Sequence, residues 1–277
     1  MRFQKIYVEI SNLCNLNCRF CPGTKRTPGR MSTEEFSALL PKLRPYSDFL
    51  YFHVMGEPLC HPQLEELLTL AGQAGFKVIL TTNGTLLAKQ QEMLLSHPAL
   101  YKVNISLHAF EANDLALPFE QYLDDCFTFG RAAAGKKLVV YRLWNQGGAE
   151  ELNDNIIARM KAHFAKPWVV EPRGTRIDER VYLEYGEKFD WPDMDAEEGS
   201  CRLRCLGLRD QIGVLWDGTV IPCCLDHEGD LALGNLFQDD LEQILSSPRA
   251  ESIHKGFLRG EAVEPLCRRC GYARRFE

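Results

Sequence analysis

Three cysteines stand close together near the start of the chain, in the stretch Cys14-Asn15-Leu16-Asn17-Cys18-Arg19-Phe20-Cys21-Pro22. Thiolates this close on one loop can wrap one face of a metal centre. A structural zinc or a simple ferredoxin-type cluster takes four protein ligands, so three thiolates leave one position open. On residue type alone the same loop also suits a zinc knuckle with a distant fourth ligand, or three unrelated buried thiols. A second set lies towards the other end: Cys205, Cys223 and the pair Cys267 and Cys270. Four thiolates close a site completely, and zinc is a rival occupant there. Cys201 and Cys224 are alternative members of that set. Cys60 and Cys126 fall in helix-opening and helical stretches and read as packed thiols.

The elements that would position these residues follow a regular alternation. Ile6-Tyr7-Val8-Glu9-Ile10 reads as a strand leading into the first cysteine loop. Ser32-Thr33-Glu34-Glu35 is a capping box that opens a helix to about Leu43. Further strands are expected at 49–54, 76–81, 100–107, 137–144 and 168–171. Helices are expected between them at 64–74, 86–95, 119–134 and 153–164. Strand and helix in strict alternation predict parallel βαβ units. Periodicity does not separate a barrel from a doubly wound sheet. Residues 172–200, rich in Pro, Gly and charge, are expected to form a linker and cover. Beyond it, Ile212–Leu215 and Val220-Ile221 around Trp216-Asp217-Gly218 predict a β-hairpin, and a short helix follows at 241–245.

Composition narrows the function. The chain has 277 residues, 45% of them hydrophobic, with a formal net charge of −6. That acidic balance disfavours a general grip on nucleic acid. Arg268, Arg269, Arg274 and Arg275 are expected as a solvated basic tail. No apolar run approaches membrane-spanning length and no export signal is evident. Eleven cysteines without such a signal point to metal binding in a reducing cytoplasm.

The C-x3-C-x2-C loop after the first strand, with Phe20 before the last cysteine, resembles the radical S-adenosylmethionine (SAM) superfamily. The resemblance implies an open partial (β/α)6 barrel over residues 1–171. It implies that Cys14, Cys18 and Cys21 hold three irons of a 4Fe–4S cluster, the fourth iron binding SAM. Phe20 would pack near the adenine. Gly56-Glu57 resembles the family's Gly-Gly-Glu motif, with Met55 in place of the first glycine, and Glu57 would hold the SAM amino group. Asn83 and Ser106 would contact the ribose and carboxylate, and Arg142 the carboxylate. The C-terminal cysteines resemble the twitch domain, the shortened relative of the SPASM domain. That implies a small α+β domain over 201–277, a hairpin plus short helices, holding one auxiliary 4Fe–4S cluster. Twelve residues separate Cys205 from Gly218 and four separate Gly218 from Cys223, a spacing that favours these two cysteines over Cys201 and Cys224.

The implied activity is reductive cleavage of SAM to a 5′-deoxyadenosyl radical, which takes hydrogen from the substrate. An auxiliary cluster can then accept an electron, so a two-electron oxidation of a small molecule is expected, with Arg173 near the substrate and a flavodoxin or ferredoxin as electron donor. Two alternatives stand beside it. One is a maturase acting on a peptide, for which no leader-binding domain is seen before Met1. The other is a non-enzymatic iron–sulfur or zinc module.

Overall fold

The computed structural model describes residues 2–274, so Arg275 lies outside the described residues. Five strands alternate with five helices: β1 (Lys5–Val8), α1 (Thr33–Leu43), β2 (Phe49–Phe52), α2 (Leu64–Gln73), β3 (Lys77–Thr82), α3 (Leu87–Ser96), β4 (Leu100–Ser106), α4 (Phe119–Ala133), β5 (Leu138–Gln146) and α5 (Asn153–His163). The expected capping box forms: Ser32 accepts from the Glu35 N–H while the Glu35 carboxylate accepts from Ser32. The apolar faces of the helices, such as Leu64, Leu67, Leu68 and Ala71 of α2, are buried against the sheet.

Beyond α5 come β6 (Val169–Glu171), β7 (Gly174–Asp178) and β8 (Val181–Glu187), then β9 (Gln211–Val214), β10 (Thr219–Ile221) and β11 (Gly234–Asn235). All eleven strands form one sheet in the order β11-β10-β9-β1-β2-β3-β4-β5-β8-β7-β6. Strands β1 to β5 and β8 run parallel, giving the open six-stranded α/β arrangement expected.

Several expectations need correction. The sixth parallel strand is β8, and 168–171 instead forms the antiparallel edge strand β6. The reason is burial: Val181 and Leu183 are fully buried, whereas Val170 is 84% exposed. Residues 172–200 are therefore not a mere linker, since they contain the strands β7 and β8. The C-terminal hairpin does not form a separate sheet either. Strand β9 pairs in parallel with β1, extending the barrel sheet on its other side. The C-terminal part closes with α6 (Leu241–Leu245), α7 (Pro248–Leu258), α8 (Pro265–Arg268) and α9 (Gly271–Arg274). Arg268 and Arg269 are not simply solvated, because both pair with Glu198.

One buried ion pair joins these parts. Glu9, just past β1, is fully buried. Its two oxygens accept from Arg26 Nη1 and Nη2 at 2.8 and 2.7 Å. They also accept from the backbone N–H groups of Met55 and Trp216, each at 3.2 Å. Arg26 Nε donates to the His227 carbonyl at 2.7 Å. The cysteine loop, the end of β2 and the C-terminal hairpin thus meet at one carboxylate. Removing one partner of such a buried pair leaves an uncompensated charge, at a cost of about 3–5 kcal/mol. Chemical denaturation of Glu9→Gln is expected to show a loss of that size, against about 1 kcal/mol for Ser32→Ala, which removes only a helix cap. Equal small losses in the two variants would deny the pair its structural role.

Candidate active site and cluster-binding thiols

The first cysteine loop is clamped at its base by Asn12. The Asn12 side chain donates to the Thr27 carbonyl (2.9 Å) and accepts from the Gly29 N–H (2.8 Å). Within the loop the Cys21 N–H donates to the Cys18 carbonyl at 2.9 Å. Asn113 Nδ2 donates to Cys18 Sγ at 3.1 Å, and its oxygen accepts from the Asn17 N–H. Asn113 carries no motif and was invisible in the sequence. Phe20 is half exposed, its ring 5.0 Å from that of His108.

The end of β2 presses against this loop. Gly56 has φ +78°, and a Cβ there would run into the Ser11 carbonyl, so glycine is required on both counts. The Glu57 N–H donates to the Leu13 carbonyl at 2.9 Å. The Glu57 carboxylate is buried, and it accepts from the backbone N–H groups of Leu59 (3.0 Å) and Asn83 (2.7 Å). Burial raises its pKa to about 7, partly offset by those donors. A carboxylate desolvated in this way is stabilised by a cationic partner. Asn83 reaches back to the loop, donating to Asn15 Oδ1 at 2.9 Å. Cys14, Cys18, Cys21, Glu57, Asn83 and Ser106 all line one cavity of about 1260 Å³.

Burial raises all three loop thiols, Cys14 to about 11. A cationic metal centre would favour their thiolate forms, so the donor chemistry fits an iron–sulfur cluster. Among the described residues no three His, Cys, Asp or Glu side chains gather around a single-ion site.

The second thiol set opens on the same cavity. Cys205, Cys223, Cys224, Cys267 and Cys270 line it, and Cys201 does not. The Cys223 thiol is raised by burial and then by Cys205, Cys224, Cys267 and Cys270, so these sulfurs are neighbours. Cys224 turns instead to a hydrogen bond with Tyr7. The cavity thus gathers Cys205, Cys223, Cys224, Cys267 and Cys270.

Between the two sets lies the barrel interior. Arg142 points into it from β5, its guanidinium 4.2 Å from the Trp144 ring centre and its Nε 3.7 Å from Glu184 of β8. The His108 ring bonds the Arg142 carbonyl (3.1 Å), and burial lowers that imidazole to about 4. His53 is lowered to about 3, by burial first and then by Arg142 and Lys5. Phe189, Trp191 and Tyr272 complete the wall. Arg173, expected near the substrate, does not line the cavity: it sits exposed in the turn between β6 and β7, because that hairpin is the sheet's outer edge. Glu9 was read only as part of a strand. Its signal was an acid set within an otherwise apolar run.

Two family models match this chain: the radical SAM superfamily over residues 8–125, and an iron–sulfur cluster-binding domain, SPASM, over residues 205–271. The S-adenosyl-L-methionine-dependent 2-deoxy-scyllo-inosamine dehydrogenase of Niallia circulans is 22% identical over 97% of this chain and 92% of that protein. The antilisterial bacteriocin subtilosin biosynthesis protein AlbA of Bacillus subtilis (strain 168) is 26% identical over 87% of this chain and 59% of that protein. The crystal structure of BtrN in complex with AdoMet and 2-DOIA superposes with a TM-score of 0.64 at 19% identity, covering 98% of this chain and 93% of that one. Other curated relatives are spanned only in part, an AdoMet-dependent heme synthase of Oleidesulfovibrio alaskensis over 26% of its length and a tungsten cofactor-modifying protein of Pyrococcus furiosus over 38%. No helix among the described residues is long and apolar enough to cross a membrane. Residues 8–125 of this chain belong to the radical SAM superfamily, and residues 205–271 form a SPASM-type cluster-binding domain.

Proposed function

We propose that the chain is a two-electron oxidoreductase that uses SAM and two 4Fe–4S clusters to oxidise a small molecule held in the barrel. The observation that carries this reading is the single cavity shared by both thiol sets. A substrate between them is within reach of both.

In this reading Cys14, Cys18 and Cys21 hold three irons and leave the fourth to the amino and carboxylate groups of SAM. Cys205, Cys223, Cys267 and Cys270 hold the auxiliary cluster. When bound, the first cluster supplies the electron that splits SAM into methionine and a 5′-deoxyadenosyl radical. The protein's own part is position and exclusion of water. Glu57 neutralises the SAM ammonium, and its two backbone donors fix the carboxylate in place. Asn83 holds the strand end against the cysteine loop. Phe20, leaning on His108, offers a flat face for the adenine. A hydrogen atom would leave a substrate C–H to form a C–H bond of 5′-deoxyadenosine. The auxiliary cluster would supply the acceptor for the remaining electron, so that with loss of the hydroxyl proton an alcohol would become a carbonyl.

The peptide-maturase reading draws on the match to the subtilosin biosynthesis protein. A crosslinked or oxidised peptide product, with no small-molecule product, would favour it.

Anaerobic reconstitution is expected to give about eight irons per chain, two four-iron clusters. Cys14→Ala should abolish 5′-deoxyadenosine formation and halve the iron. Cys267→Ala should lower the iron while the SAM-cleaving cluster remains visible by electron paramagnetic resonance. Glu57→Gln removes a charge-assisted contact worth about 1.5–3 kcal/mol, so SAM affinity measured by calorimetry should fall roughly 10- to 150-fold with both clusters retained. Unchanged SAM affinity in that variant would remove Glu57 from the cofactor site.

A further inference from the structure

The cavity is far more basic than the chain around it. Seven of its lining side chains are Lys or Arg and two, Glu57 and Asp226, are acidic, although the chain's formal net charge is −6. Some of these cations are already answered: Arg26 by Glu9 and Arg259 by Glu261. Two in the barrel interior keep donors free. Arg142 is ion-paired with Glu184 only at 3.7 Å, beyond hydrogen-bond reach, and its buried Nε has no hydrogen-bond partner. The Lys5 ammonium makes no hydrogen bond or ion pair among the described residues and stands 6.0 Å from the Tyr51 ring centre. Lys102, on the next strand, competes for the same Glu184, and burial lowers its ammonium to about 8. His53 adds a buried Nδ1, also without a partner.

Such an arrangement is costly as it stands. A buried guanidinium with an unfilled donor is stabilised by an anion that can take its fork. The titratable groups that act most on Arg142 are Glu184 and the neutral phenols Tyr7, Tyr51 and Tyr272, and no ligand thiol is among them. We propose that Arg142, Lys5 and His53 form a subsite for an anionic oxygen group of the substrate, a carboxylate or a phosphate. This rests on the reading of the cavity as the substrate chamber. It sets the chain apart from the inosamine dehydrogenase it resembles, whose named substrate carries an amine that these cations would repel. It also assigns Arg142 to the substrate and not to the SAM carboxylate.

The test uses reconstituted, anaerobic protein with SAM bound, titrated at constant ionic strength with inorganic phosphate, acetate or ethylammonium and followed by calorimetry. At least one of the two anions should bind, and which one does so identifies the group. Ethylammonium should not bind. The anion's dissociation constant should rise at least tenfold in Arg142→Gln and in Lys5→Gln, while SAM affinity changes less than threefold. The Lys5 ammonium makes no hydrogen bond among the described residues, so Lys5→Gln carries the test even where Arg142→Gln fails to fold. Absence of binding by both anions, equal binding of ethylammonium, or a tenfold loss of SAM affinity in Arg142→Gln would each overturn the proposal. Because binding is read without turnover, it stands or falls separately from the oxidation chemistry, which fails only if wild-type protein forms no oxidised product.

Discussion

A carboxylate buried without water has to find its donors in the protein. Glu9 finds them in three separate stretches: Arg26 after the cysteine loop, the Met55 amide at the end of β2, and the Trp216 amide in the C-terminal hairpin. None of these stretches can drift without stranding a charge. That constraint places the SAM-type motif, the cysteine loop and the hairpin that leads to Cys223 around one chamber. The parallel pairing of β9 with β1 adds a backbone seam to the same junction. The C-terminal part is thereby a continuation of the barrel wall.

The chamber has two chemical halves. One is set by Glu57, Asn83 and the three loop thiols, an acidic and sulfur-rich end suited to a cationic cofactor. The other is set by Arg142 and Lys5, an end suited to negative charge. Glu57 lies beyond β2, while Arg142 lies on β5 and faces β8. A cofactor and a substrate of different charge are thereby given different ends of one space.

Much of this was legible in the residues. The cysteine spacings, the capping box at Ser32 and the alternation of strand and helix through α5 all rest on local rules, and they carried over. The sixth parallel strand did not, because Val181–Glu187 carries two glutamates and is preceded by an antiparallel excursion, whereas the more apolar Trp168-Val169-Val170 looks like a buried strand and is an edge. Arg173 was misplaced for the same reason. Glu9, Arg26 and Asn113 each act through a partner distant in sequence, 207 residues away for the Trp216 contact of Glu9, 201 for Arg26 with His227 and 95 for Asn113 with Cys18. No local pattern announces such a partner.

The account stands on an incomplete cage of three thiolates and a complete cage of four, opening on one space. Iron-edge anomalous diffraction from crystals grown without oxygen and with SAM tests this most directly. Two four-iron centres should appear at the cavity wall, one held by Cys14, Cys18 and Cys21 with SAM on its fourth iron, the other held by four cysteines. A zinc signal at either place, or a protein side chain on the first centre's fourth iron, would contradict it.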